Sequence, residues 1–402
     1  MSAPRPEAEG PVLGPVLLLA VAQLVSWGSL YYAFALFIGP LEREMGWSRI
    51  EITGALTVGL LATAATSPLA GRAIDRFGGR LPMSAGSFGA TLLLLAWAAV
   101  DRLSLFYLVW MGLGATMAFV LYDAVFALLA RTLVATYRRA VTVVTLVAGF
   151  ASTVFFPLVH LAIEALGWRG ALVLLAFLNL AISGSVHVLV PPRLGRARRR
   201  TGDALAPAPT TVREAARGRA FWGILVAVVA NATLFSAVTF HLVPLLAERG
   251  FALETIVTAA ALVGPAQVGA RLLLLGLEKR LSLRGSALLA ASLPVLGTVA
   301  LAGAEPGSAL LWLFPLLYGA GNGMMTIVRA AAIAELVSRT SFGAVNGAIA
   351  LPALAGTALA PVAAARLWKQ SGDYGAVLAV LFLLALASLA GLAWATFRPR
   401  PR

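Results

Sequence analysis

The sequence predicts an all-α membrane protein: twelve transmembrane helices in two six-helix pseudo-symmetric bundles, with both termini cytoplasmic. Three observations predict it. The 402 residues are 60% hydrophobic and only 12% charged, with mean hydropathy +0.89, far too apolar for soluble domains. The apolar residues fall in blocks of about 20, the length that crosses a hydrocarbon core of roughly 30 Å as helix. Basic residues gather in alternate connections between those blocks.

The first span, 13–40, follows "MSAPRPEAEG", which lacks the basic region and small-residue cleavage site of a secretory signal, so it reads as a retained helix. Spans 52–70 and 81–100 flank "GRAIDRFGGR" (71–80), three arginines and an aspartate in ten residues. Spans 104–130 and 140–164 flank a second basic connection, and span 169–190 completes the first six. Segment 191–218, rich in Arg, Pro and Ala, reads as a cytoplasmic linker between an N-terminal bundle (1–190) and a C-terminal bundle (219–402). The second six spans lie at 219–246, 252–276, 284–303, 308–337, 342–367 and 374–397.

Orientation follows from Arg and Lys. With the N-terminus inside, the cytoplasmic segments hold 22 of the 31 basic residues and the outer loops hold seven, among them Arg43, Arg49 and Arg169. The positive-inside rule then puts both termini in the cytoplasm and requires an even number of spans. The run "RARRR" (196–200) resembles a nucleic-acid patch in isolation. Between spans it reads instead as an orientation signal that meets anionic lipid headgroups. No nucleic-acid partner is expected.

The halves repeat. Residues 112–132 align without gaps to 319–339 at an offset of 207, matching Gly112 to Gly319 and Gly114 to Gly321. Residues 168–176 match 373–381 at an offset of 205. Parallel six-helix repeats are a transporter architecture; the bland alternative is chance likeness between apolar helices.

Several chemistries are excluded. There is no cysteine, so disulfides and thiolate sites are absent. His160, His187 and His241 are too scattered to hold a metal, and no metal or cofactor is expected. No phosphate-binding Gly-x-x-x-x-Gly-Lys-Ser/Thr loop occurs, which argues against ATP-driven transport by this chain. The deep polar residues lack a Ser/His or paired-Asp arrangement, so an enzyme is not expected.

"GRAIDRFGGR" resembles the signature loop of the major facilitator superfamily, Gly-x-x-x-Asp-Arg-x-Gly-x-Arg, through Gly71, Asp75, Arg76, Gly78 and Arg80. The resemblance implies a multi-pass transporter that alternates access, with Asp75 and Arg76 in a cytoplasmic gate. Residues 34–53 and 149–172 resemble the monocarboxylate-transporter-like branch. In its eighth helix that branch carries Asp-x-x-x-Arg; here the Arg is Arg271 and the Asp position is Gln267. The acidic motif of that branch's first helix is missing, and the fifth helix lacks the Gly-Pro-rich signature of antiporters.

Ionisable groups inside a membrane are costly, about 2.5–3.5 kcal/mol at mid-helix on insertion scales, and mark function. Three are deep. Asp123 lies eight residues before Arg131, Arg271 eight before Lys279 and Arg329 ten before Arg339, or about 12 to 15 Å from the inner surface at 1.5 Å per residue. Arg271 suits a substrate carboxylate through its planar donor fork, with Gln267 one turn earlier on the same face. Asp123, in the N-terminal half and opposite both guanidiniums of the C-terminal half, suits a proton taken up and released during the cycle. The alternative is a salt bridge between the halves without substrate contact. Asn322, Asn231 and Tyr32 are further substrate-binding candidates, against helix-to-helix bonding for the asparagines and interfacial anchoring for the tyrosine. His241, near the outer end of its helix, is a proton or gate candidate against a packing role.

The expected function is secondary active transport of a small organic anion such as a monocarboxylate, coupled to a proton, by a monomer in the cell inner membrane. Efflux of a toxic compound is the alternative within transport, and a transporter-fold receptor the alternative outside it.

Overall fold

The computed structural model describes residues 13–133, 136–189, 211–277, 280–338 and 342–397. Among them no strand occurs. Eleven helical stretches are long and apolar enough to cross a membrane. They are α1 (Leu13–Met45), α2 (Arg49–Phe77), α3 (Arg80–Ala98), α4 (Leu103–Ala130), α5 (Arg139–Leu189), α6 (Arg219–Glu248), α7 (Leu253–Gly276), α8 (Leu283–Ala302), α9 (Leu310–Val337), α10 (Val345–Ser371) and α11 (Gly375–Thr396). The basic run 196–200 and most of the linker lie outside the described residues, as do Lys279, Arg339 and both termini.

The helix count differs from the twelve spans of the sequence because α5 absorbs two of them. It has 51 residues, about 77 Å as a straight helix. It is interrupted at Gly167, where φ 69° and ψ 169° leave the helical region.

Lipid exposure inverts the usual surface. Leu92, Leu273 and Leu383 stand exposed, whereas Gln23, Ser26 and Ser183 are buried. Inside, Ser26 Oγ donates to Ser183 Oγ at 3.0 Å, the small-polar bonding that joins helices in lipid. Glycines let backbones touch: a Cβ on Gly114 of α4 would overlap Gly59 O of α2.

The 71–80 stretch is helical for most of its length, which corrects the reading of Gly71 as part of a turn. α2 continues through Phe77, and a Cβ on Gly71 would meet open space. At 29 residues α2 reaches about 44 Å, the thickness of a bilayer with its headgroups. The reversal falls on Gly78 (φ 76°) and Gly79, whose Cβ would lie 2.8 Å from Leu128. At the opposite end α2 starts with a reciprocal cap. Ser48 N–H donates to Glu51 Oε2 (2.8 Å), and Glu51 N–H to Ser48 Oγ (3.3 Å).

Equivalent features recur in residues 13–189 (the first half) and 211–397 (the second half). Gly46 (φ 67°) ends α1 and Gly250 (φ 83°) follows α6; Gly167 (φ 69°) interrupts α5 and Gly372 (φ 83°) joins α10 to α11. Their offsets are 204 and 205 residues. Glu44 and Glu248, also 204 apart, each accept from a tryptophan, Trp168 Nε1 (2.6 Å) and Trp368 Nε1 (2.7 Å), although these two lie on opposite sides of their glycine. An offset near 205 also matches Gly114 to Gly319, which packs on Val263 O of α7 as Gly114 packs on α2. The register of 207 is thereby corrected. Under it Gly114 would match Gly321, which packs on Pro294 of α8 instead. A two-residue slip turns a helix by about 200° to its opposite face, and glycines recur too often in these helices to fix the register alone.

The halves meet along three seams. Phe240 of α6 packs on Tyr31 and Phe34 of α1, with ring centroids 4.9 and 5.8 Å apart. Thr153 Oγ1 of α5 donates to Ala261 O of α7 at 2.8 Å. Arg49 of α2 stacks over Trp368 of α10 at 4.2 Å.

Candidate functional site

The site begins with two interruptions in first-half helices. Over Gly28–Tyr32, α1 widens to i→i+5 bonding, with Ala33 N–H donating to Gly28 O at 2.9 Å. Phe155 occupies the space where a Cβ on Gly28 would stand. Such single-turn widenings recur at functional sites because they re-aim the side chains that follow. Here those are Tyr31 and Tyr32. In α4 the helix breaks at Leu121 (φ −85°, ψ −171°). The Gln23 amide of α1 donates to Val120 O at the break, so a carbonyl there keeps a partner despite its depth.

The break puts Tyr122 and Asp123 in the first turn of a new helical segment, Tyr122–Thr132, where a carboxylate also faces the positive end of the helix dipole. Asp123 is exposed although it lies mid-chain in an apolar helix. Trp27 ties the two interruptions together, with ring centroids 5.2 Å from Tyr31, 6.4 Å from Tyr32 and 5.0 Å from Tyr122. Tyr122 stacks on Phe126 at 5.2 Å.

The second half answers with polar groups. Arg271 of α7 is 8% exposed. Its Nε donates to Gly323 O of α9 (3.3 Å), and its Nη1 crosses to Thr145 O of α5 (2.9 Å). Gly323 makes the first bond reachable: a Cβ there would overlap the Gln267 backbone, so α7 and α9 touch. Gln267 is buried one turn before Arg271. Among the described residues no carboxylate lies within 4 Å of Arg271. Its charge is held by neutral carbonyls, and Tyr32 and Tyr122 lie within electrostatic reach. Arg329 of α9 donates from Nη2 to Asn346 Oδ1 of α10 at 2.9 Å. Its Nε is buried without a hydrogen-bond partner among the described residues, and Asp123 of the first half is within electrostatic reach. Asn231 Nδ2 of α6 donates to Asn322 Oδ1 of α9 at 3.2 Å, so these two first of all join helices.

A second polar cluster crosses between the halves at the end of the bundle that carries Ser48. Arg49 holds Glu42 through two bonds, Nε to Oε1 (2.8 Å) and Nη2 to Oε2 (3.2 Å). Its Nη1 crosses between the halves to the Tyr374 hydroxyl (2.9 Å). The same hydroxyl lies 2.9 Å from His241 Nδ1, and His241 Nε2 lies 2.8 Å from Pro361 O. Donor logic fixes the chain of bonds. A carbonyl only accepts, so Nε2 carries the hydrogen, and Nδ1 of the neutral ring accepts from the tyrosine. Burial pushes the Tyr374 phenol above its ordinary pKa, which keeps it an O–H donor.

The structure sets Arg271 within electrostatic reach of Tyr32, with Gln267 one turn before it, brings Asp123 within electrostatic reach of Arg329, and bonds Asn231 to Asn322. His241 stands apart in the second polar cluster, and Gly71, Asp75, Arg76, Gly78 and Arg80 lie at the opposite end, where Arg76 stacks on Phe77 at 5.1 Å. Sequence reasoning missed Tyr122 within electrostatic reach of Arg271, Trp27 packed on Tyr122, Gln23 at the break, and the Glu42–Arg49–Tyr374–Trp368 cluster. A signal existed for the last: Arg49 is one of the few basic residues in the outer loops of the sequence reading.

A family model described as Major Facilitator Superfamily matches residues 18–361. No curated protein matches the chain. Among solved structures, the nucleoside transporter NupG superposes with TM-score 0.73 at 14% identity, covering 96% of this chain and 100% of its own. A bacterial homologue of the human lysosomal transporter Spinster superposes in two inward-facing states. The occupied state gives TM-score 0.67 at 12% identity (94% and 93% covered), and the unoccupied state gives 0.64 at 13% (96% and 95%). At these identities the superpositions establish a shared fold alone. The family match spans most of the sequence and points to transport rather than enzymatic turnover: the chain belongs to the Major Facilitator Superfamily.

Proposed function

We propose that the protein is a proton-coupled secondary transporter of a small organic anion such as a monocarboxylate, working by alternating access. The observation that carries this reading is Arg271: a buried guanidinium, braced by two backbone carbonyls, with no carboxylate partner among the described residues. A fixed charge in that state is stabilised by an incoming anion, and its planar fork suits a carboxylate. Gln267 adds a neutral hydrogen-bonding group beside it. Asp123 is the proton carrier. When it is ionised it attracts Arg329 across the halves; protonation releases that attraction and frees the halves to rock.

The reading extends to architecture. Gly167 matches Gly372, which separates α10 from α11, so α5 counts as two crossings and the total becomes twelve. Both termini then lie in the cytoplasm of a cell with this protein in its inner membrane, and the basic linker 191–218 meets anionic headgroups between bundles 1–190 and 219–402. The cluster around Arg49 is the closed outer gate of an inward-facing state, and exposed Asp123 faces the open side. The protein acts as a monomer.

Flux in proteoliposomes tests the proposal. Uptake of short monocarboxylates should rise with an inward proton gradient and lose that dependence in Asp123→Asn. Uptake that ignores every carboxylate would refute the substrate class, and ligand binding without flux would indicate a receptor.

A further inference from the structure

We infer that the site is a clamp for a planar aromatic monocarboxylate, with the ring held by the first half and the carboxylate by the second. The inference rests on the anion reading of Arg271 and narrows it.

Two groups of different chemistry lie within electrostatic reach of each other. In the first half, Trp27, Tyr32, Tyr122 and Phe126 form a continuous series of rings, linked at 6.4 Å (Tyr32–Trp27), 5.0 Å (Trp27–Tyr122) and 5.2 Å (Tyr122–Phe126). All four are only partly buried. The rings that serve packing differ: Phe34, Trp97 and Trp110 are fully buried among one another. The four pack against the core on one side; what remains open, within electrostatic reach of a buried cation, is surface that a ligand ring can meet. In the second half, Arg271 and Gln267 present the polar counterpart.

Size and charge follow from the same placement. Tyr32 and Tyr122 lie within electrostatic reach of Arg271, so one small ligand spans ring wall and guanidinium. Arg271 is the cation beside the rings, whereas Arg329 faces Asp123; a second carboxylate on the ligand would meet that acid. The ligand is therefore a monoanion. A ring against these residues gains edge and offset-stacked contacts beyond the area it buries, which a saturated ring of equal size does not. A ligand that touches both halves also gives alternating access its linkage, because closure about it improves both contacts at once.

Three matched probes test the clamp on the full chain by titration calorimetry: benzoate, cyclohexanecarboxylate and benzamide. Benzoate should bind about three- to tenfold more tightly than cyclohexanecarboxylate, the range expected of aromatic pairing. That ratio should fall to about one in Tyr122→Leu, and benzamide should bind at least about tenfold more weakly than benzoate. The comparison of the two acids needs no variant, so it stands even if Tyr122→Leu fails to fold. Equal binding of the two acids would overturn the aromatic inference while leaving the carboxylate reading intact. Benzamide binding as well as benzoate would overturn the carboxylate reading itself. No binding of any probe to protein that melts cooperatively would overturn both.

Discussion

Tyr374→Phe isolates the cluster around Arg49 with little change in volume. The hydroxyl is its hub, accepting from Arg49 Nη1 at 2.9 Å and donating to His241 Nδ1 at 2.9 Å. Removing it takes the acceptor of Nη1 but leaves Arg49 its two charge-paired bonds to Glu42. His241 is 1% exposed, and its Nδ1 would become a buried acceptor without a donor, a cost of about 1–3 kcal/mol. The penalty falls on the sealed state, because opening lets water reach the imidazole. The equilibrium between sealed and open ends should then shift toward open by about 5- to 150-fold. The absence of native cysteine gives a clean assay. Ala237→Cys places a thiol one turn before Phe240 on the same face of α6, at a position 4% exposed, where an impermeant maleimide reacts only when this end opens. Tyr374→Phe should raise the labelling rate by that factor. An unchanged rate in a variant that melts normally would refute the assignment of the cluster as a gate.

Three other outcomes follow from the same geometry. Protonation of His241 would replace its Nδ1 acceptor with a second donor facing Tyr374 and add positive charge near Arg49. Labelling of Ala237→Cys should therefore quicken as pH falls on that side, and the trend should vanish with His241→Gln. Gly114→Ala would set a methyl against Gly59 O of α2; backbone overlap cannot be relieved by a rotamer, so thermal melts should show a loss of about 1–3 kcal/mol. Gly71→Ala meets open space on a helix and should be neutral or slightly stabilising in the same melts, by up to about 1 kcal/mol.

Much of the helical architecture was legible because hydrocarbon thickness imposes a length on apolar helices. Asp123, Arg271 and Arg329 were readable as candidates, since charge in an apolar helix stands out against its surroundings. The Leu121 break was not. Nothing in "FVLYDAV" marks a helix end, because the stabilising group is Gln23, 97 residues away. Trp27 and Tyr122 escaped for a related reason: they lie on different helices and meet, with ring centroids 5.0 Å apart, only once the fold is formed. The repeat was visible as recurrent glycine, but its register needed backbone conformation. Gly46 and Gly250 share a left-handed φ that composition does not report. His241 was recognisable as a titratable group near a helix end, while its partner Tyr374 sits 133 residues on in a connection with no motif.

The central claim is that Arg271 anchors an organic anion, and ligand-dependent thermal stability tests it most directly. Benzoate at about 100 times its dissociation constant should stabilise the purified protein by about 2.7 kcal/mol. In Arg271→Gln, which keeps a polar side chain but loses the charge, the shift should disappear while the unliganded melt stays cooperative. An undiminished shift in that variant would place the anion elsewhere and contradict the account.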